Sequence, residues 1–260
     1  MHPRIKIGKL LIKIGRFIQS SAVVVMRPHD LIEFSRRHYL KPSSVQSWCD
    51  DQTVNTGLSS HEQSLLDRIG LKQGRLLLLG LGGGREAIPL AKLGFAVTGI
   101  DFIPQMVKRA EKNTKKNGVE IVGLVQEISK LDLPEKTFDV AWLSAAMYSC
   151  VPTRRRRINM LKGIFKALKP GGYFVFGYLW NPKVDVSSKS VFLKKLIAWL
   201  TLGNLHYEKG DTLRFNLEFI HTFTAVEELK REIMEGGFSL LDIQASDESE
   251  FADAIARKPV

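Results

Sequence analysis

Two cysteines in 260 residues, Cys49 and Cys150, leave no material for a disulfide framework. There is no C-x-x-C pair and no histidine cluster, so no metal site is expected. A reducing cytoplasm is then the default compartment. No run of 18 uncharged apolar residues exists, which argues against a membrane-spanning helix. Acidic residues are scarce at one end: residues 1–41 hold nine Lys or Arg against Asp30 and Glu33, a net of +7 within a whole-chain charge of +11. The excess therefore marks an appendage and not the core. With 44% apolar and 25% charged residues, the chain as a whole has the composition of a globular protein. Its length suits one large α/β domain with a cap, or two small ones.

The most informative stretch runs from Leu76 to Asp101. Four consecutive leucines, Leu76 to Leu79, have no polar face, as in a strand covered on both sides by helices. Gly80, Gly82, Gly83 and Gly84 follow, where the backbone can turn sharply and approach a ligand closely. Arg85 to Leu93 has helical character and Gly94 caps it. A second apolar strand, Phe95 to Ile100, ends on Asp101, 21 residues after Gly80. This is a βαβ nucleotide-binding unit, with the glycines facing a phosphate or carboxylate and the acid accepting ribose hydroxyls. Gly82, Gly84 and Ala87 also fit G-x-G-x-x-A, so a dinucleotide fold competes at this point, as does an α/β turn without a ligand.

Ahead of this unit, Lys6, Lys9, Lys13 and Arg16 share one helical face across Ile5–Ile18, with isoleucines and leucines between them. Such a helix lies on an anionic membrane surface, or else packs as a cap with solvated charges. Lys13 and Arg16 interrupt any signal-peptide core. One further helix, Leu31 to Tyr39, and a polar linker are expected before the capping box Ser59-x-x-Glu62 opens a helix that Gly70 closes. After Asp101 come a helix (Ile103 to Asn117), a strand (Glu120 to Val125), a strand opening at Phe138-Asp139, a helix (Arg154 to Leu168) and a strand (Tyr173 to Tyr178). Strand and helix alternate at short spacing, which predicts a doubly wound, mostly parallel sheet.

The glycine loop, the acid ending the second strand, Phe138-Asp139 opening the fourth, and Leu168-Lys169-Pro170-Gly171-Gly172 before the fifth together resemble the class I S-adenosylmethionine-dependent methyltransferases. The likeness covers residues 58–180 and 225–260. It implies a Rossmann-like α/β fold with a seven-stranded sheet, whose last strand, Phe251 to Lys258, runs antiparallel between the fifth and the sixth. Residues 1–57 then form an N-terminal helical cap and 58–260 the methyltransferase domain. Residues 181–223, an insertion after the fifth strand, hold a helix (Val191 to Leu202) and a strand-like stretch (Leu213 to Phe223) and would form a substrate lid.

The resemblance implies S-adenosyl-L-methionine as cofactor. Gly80, Leu81, Gly82 and Gly84 would surround its methionine part, Asp101 and Phe102 its ribose, Gln126 and Glu127 its adenine, and Ser144 the space beneath the sulfonium. The family carries Asp or Glu two residues before the first glycine; Leu78 stands there, so another acceptor must serve the amino group. Tyr148 and His221 are the expected catalytic residues, with His206, Tyr207 and Glu218 as further candidates for a general base. The fourth strand ends Ser144-Ala145-Ala146-Met147 and not Asn/Asp-Pro-Pro-Tyr, which argues against methylation of nucleic-acid bases. Arg154 to Arg157 are expected to be solvated. The function implied is methyl transfer to O or N of a small-molecule metabolite. RNA, a lipid-like substrate at the inner face of the membrane, or cofactor binding without catalysis are the alternatives.

Overall fold

The computed structural model describes residues 2–184, 187–246 and 248–260. Helices α1 (Pro3–Val25), α2 (Pro28–Tyr39), α3 (Pro42–Cys49) and α4 (Asp51–Val54) precede α5 (Ser60–Ile69). The stretch expected as a polar linker is thus largely helical, started by proline at the first position of α3, where no N–H is required. The Ser59 capping box is formed reciprocally with Glu62, and Gly70 ends α5 at φ 68°.

Strand β1 (Gly74–Leu79) is the sheet's centre, and its leucines are fully buried. Leu77 and Leu79 point into one apolar layer and Leu76 and Leu78 into the other, as the two-residue period of a strand dictates. The chain continues through α6 (Ala87–Lys92), β2 (Phe95–Asp101), α7 (Pro104–Lys116), β3 (Val122–Val125), β4 (Phe138–Leu143), α8 (Arg154–Ala167) and β5 (Leu168–Trp180). Helices α5, α6 and α7 cover the Leu76 face, and α8 packs on the Leu77 face. The insertion contributes α9 (Ser188–Thr201), β6 (Asp211–Arg214) and β7 (Glu218–Phe223), before α10 (Val226–Glu235), β8 (Ser239–Gln244) and β9 (Phe251–Arg257).

Strands β3, β2, β1, β4 and β5 lie side by side and parallel, and β9 runs antiparallel between β5 and β8, the expected seven-stranded arrangement. Among the described residues the sheet has nine strands, because the insertion adds a hairpin. The single stretch expected over Leu213–Phe223 is broken by Phe215 and Asn216, both left-handed (φ 50° and 57°), into β6 and β7. Strand β7 continues the sheet by pairing parallel with Leu179 and Trp180 at the far end of β5.

Cap and insertion are fitted to each other. Val23 and Val24 pack with Ala198, Tyr207 and Phe219, and Asn204 N–H donates to Val24 O at 2.8 Å. A Cβ on Gly203 would collide with Val24 O, so only glycine permits this approach. No helix among the described residues is long and apolar enough to cross a membrane.

The arginines opening α8 depart from the expected solvated face. Arg157 is fully buried and holds Glu232 of α10 (2.7 and 2.9 Å) and Glu208 of the insertion (3.1 Å). Arg154 pairs with Glu235 and Arg156 with Glu127. A buried charge stripped of its partner is costly, roughly 3–5 kcal/mol. Glu232→Ala should therefore lower the free energy of unfolding in urea by about that amount, and Arg154→Ala, at the half-exposed end of the same helix, by less than about 1 kcal/mol.

Candidate active site

A cavity of about 420 Å³ opens where β1 and β4 diverge in the strand order. Ligands of open parallel sheets bind at such a point, outside the carboxyl ends of the strands. The glycine loop forms its floor. Gly80 N–H and Leu81 N–H both donate to Ile100 O (2.9 and 2.8 Å), tying the loop to β2. A Cβ on Gly80 would collide with Met147 Sδ, and its φ is 89°. Gly82 has φ 53° and nothing within 4 Å of the place a Cβ would occupy, so its backbone faces open space.

Asp101 closes the floor at the end of β2. Its Oδ2 accepts Gly82 N–H and its Oδ1 accepts Ile103 N–H, each at 2.9 Å. Burial raises its carboxyl above the ordinary aspartate value, while the N–H groups of Gly82, Ile103 and Phe102 oppose that rise. Each oxygen keeps a lone pair for one further donor. Gln126 spends its side-chain amide on the main chain of Asp132, and Glu127 accepts from Ser129 and from Arg156 (3.1 Å).

Gly80, Gly82, Asp101, Phe102, Gln126, Glu127 and Ser144 all line the cavity. Leu81 does not: its side chain is buried beneath Gly99. Gly84 turns away as well, against Ala110 of α7. Tyr148 and His221, expected to be catalytic, lie outside the cavity lining. The fully buried Tyr148 hydroxyl donates to Glu232 at 2.8 Å, and burial raises its pKa well above that of an ordinary phenol, which rules out a base there. His221 Nδ1 is bound to Asp211 Oδ1 at 2.7 Å, with its ring edge on Phe223, and braces β6 against β7. Both departures share one cause: these side chains point into packed layers that the period of a short segment does not distinguish from a cavity wall.

Other residues take up the exposed positions. From the cap come Ile32, Ser35 and Tyr39 of α2 and Trp48 of α3; from the insertion, Arg214 and Glu218. Tyr39 hydroxyl donates to Glu218 Oε2 at 2.5 Å across the cavity wall. Burial, and then the bond to Glu218, keep the Tyr39 phenol protonated far into the alkaline range. The Cys150 thiol, also in the wall, is pushed up to about 12 by burial and is no thiolate. Glu218 is thus the carboxylate that the insertion brings to the cavity lining.

Glu86 is the residue that motif reading passed over. It is buried at the start of α6, its carboxylate set between Arg85 (2.6 Å) and the hydroxyl of Ser144, which itself lines the cavity. Burial raises its pKa, while Arg85 and Ser144 pull it down. Leu78, standing where the resemblance expects an acid, lies in the apolar layer, and Glu86 brings a carboxylate to the glycine loop from the other side. A lone acid just ahead of the run Ala87-Ile88-Pro89-Leu90 was its only sequence signal.

Helix α3 crosses the loop at van der Waals contact. A Cβ on Gly83 would collide with Trp48 O and stand 2.7 Å from Cys49 Cα. The buried Asn113 amide donates to both Gly83 O (2.9 Å) and Cys49 O (3.2 Å), locking α7, the loop and the cap together. Overpacking of this kind costs about 1–3 kcal/mol. Gly83→Ala should release α3, seen as faster proteolysis within residues 41–57, whereas Gly82→Ala, strained at φ 53° but facing open space and not α3, should change that rate less.

A family model describing a methyltransferase domain matches residues 77–176. The chain is 30% identical over 132 residues to an uncharacterized methyltransferase of Synechocystis, covering 50% of this chain and 59% of that protein. It is 34% identical over 135 residues to a ubiquinone biosynthesis O-methyltransferase of Paramagnetospirillum magneticum, covering 52% of each. The chain thus spans little more than half the length of these relatives. In fold it matches the crystal structure of an S-adenosylmethionine-dependent methyltransferase of Methanosarcina mazei, with TM-score 0.59 and 22% identity, over 78% of this chain and 99% of that one. With the seven-strand order, the glycine loop and the acid at the tip of β2 all in place, residues 77–176 are similar to a methyltransferase domain and the fold is that of S-adenosylmethionine-dependent methyltransferases of known structure.

Proposed function

We propose that this protein transfers a methyl group from S-adenosyl-L-methionine to an oxygen or nitrogen of a small-molecule metabolite held in the cavity. The observation that supports this is one cavity lined by two chemically distinct sets of residues. Asp101 and the open backbone at Gly82 suit a ribose diol and an amino-acid tail, while the bonded pair Tyr39 and Glu218 shares the lining with apolar side chains such as Ile32, Met147 and Phe251.

When bound, the cofactor supplies a methyl group on a positively charged sulfur, already a good electrophile. What remains for the chain is alignment and proton management. Asp101 accepts the ribose hydroxyls; Glu86, through or beside Ser144, offers negative charge near the loop to the cofactor's ammonium. The cap excludes water, and Trp48 and Tyr39 wall the acceptor's side. Glu218 takes the proton of an attacking hydroxyl or amine, and Tyr39, always a donor, holds that carboxylate in position.

S-adenosylhomocysteine should bind the purified protein in calorimetry, and Asp101→Ala should weaken it by about 1.5–3 kcal/mol for each ribose hydroxyl left without its acceptor. The ionised carboxylate is the form that accepts two hydroxyls. Because burial raises the Asp101 pKa, affinity should start to fall on acidification at a higher pH than an exposed aspartate would give, and Asp101→Asn should flatten that dependence. Uptake of a nicotinamide dinucleotide in place of S-adenosylhomocysteine would refute the proposal. Once an acceptor is found, Glu218→Gln, which retains an acceptor for Tyr39, should lower kcat by about 10²–10⁴-fold with cofactor affinity unchanged.

A further inference from the structure

Helix α9 has an outward face with no polar side chain at its centre. Phe192, Leu193, Leu196, Trp199 and Leu200 are 40–70% exposed, while Ala198 and Lys194 on the opposite side are buried toward α1 and Tyr207. A helix packed on a globular body normally turns its polar face outward. Helix α1 repeats the anomaly. Its last turns are buried at Val23 and Val24, but Ile7, Leu10, Leu11, Ile14 and Ile18 are 46–66% exposed along one stripe. On the other side of α1, at spacings of three and four, stand Lys6, Lys9, Lys13 and Arg16.

These two helices lie far apart in sequence and are joined in space, Asn204 N–H to Val24 O and Arg27 Nε to Leu202 O. Exposed apolar surface of this kind marks an interaction site. Charge then selects the occupant. From His2 to His29 and from Ser187 to Tyr207 the chain has no Asp or Glu, while Lys189 and Lys195 flank the apolar face of α9. A second copy meeting this face by two-fold symmetry would set cation against cation. An anionic lipid surface instead offers hydrocarbon to the leucines, an interface to Trp199 and negative headgroups to the lysines. Neither helix meets the requirements for spanning a bilayer, so the geometry is that of helices lying in its surface.

The cavity adjoins this face. Gln19 of α1 donates to Asn216 in the β6–β7 turn at 2.8 Å, and Phe215 beside it is 76% exposed. Arg214, a cavity residue, lies over the rings of both Phe215 and Phe251. We infer that α1 and α9 together dock the protein on anionic membranes, with the mouth of the cavity beside the lipid.

Flotation of the full chain with vesicles tests this without any turnover. The protein should rise with vesicles of phosphatidylcholine containing phosphatidylglycerol, and rise far less with phosphatidylcholine alone or in high salt. Each cation near such a surface is worth roughly fivefold in partitioning, so Lys6, Lys9, Lys13 and Arg16 changed together to Glu should lower binding by well over about tenfold. Leu10→Asp with Trp199→Asp should abolish flotation as well, with thermal unfolding and near-ultraviolet circular dichroism unchanged because both positions are exposed. Three results would overturn the inference: no flotation of the parent protein with either vesicle, flotation indifferent to both variants, or a dimer in sedimentation that the Leu10/Trp199 variant dissolves. None of these measurements involves S-adenosylhomocysteine, so they stand or fall apart from the methyl-transfer proposal.

Discussion

A carboxylate buried at the tip of a strand and held by two backbone N–H groups is the constraint around which this protein is arranged. Asp101 fixes Gly82 on one side and Ile103, at the start of α7, on the other. Desolvation works against the ionised form and the two amides work for it, so the loop and the helix start must both be in place before the charge is tolerable. Loop geometry and charge at the tip of β2 are therefore established together. The same two amides leave the outer lone pairs free, which makes a structural clamp usable as a recognition group.

The opposite wall is built from parts outside the shared fold. Tyr39 arrives from the cap and Glu218 from the insertion, and their bond lies across the cavity wall. Trp48 is brought in by α3, whose main chain rests on Gly83. The Asp101 side thus comes from the framework and the Glu218 side from appended parts, and Asn113 joins framework and cap by bonding to the main chains of Gly83 and Cys49.

Much of this was legible in the residues. A run of four leucines carries no helical or strand period, yet its brevity and the glycines after it identified a doubly covered strand, and the alternation of Leu77 and Leu79 against Leu76 and Leu78 follows from that. Asp101 was found because its distance from the glycines is set by one helix and one strand. Tyr148 and His221 were misplaced because choosing the side of a short segment requires knowing what packs on it; Glu232 and Asp211, the partners that hold them, come from distant elements. Arg157 deceived for a related reason, since Arg154 and Arg156 beside it reach partners nearer the surface and its own register turns inward. The extra hairpin was hidden at Phe215, an aromatic residue in a left-handed conformation that sequence preference assigns to glycine or asparagine. Trp48 had no signal at all, being exposed in its own helix and significant only because of where α3 lies.

The contact at Gly203 bears on how such a chain can be re-engineered. Because that residue rests directly on the carbonyls of Val24 and Val25, the first helix and the inserted segment share one mould, although more than 170 positions separate them. Swapping in the corresponding insertion of another protein would leave a mismatch at this seam. Chimeras would have to exchange the leading helices and the insertion in a single step, as one cassette discontinuous in the gene.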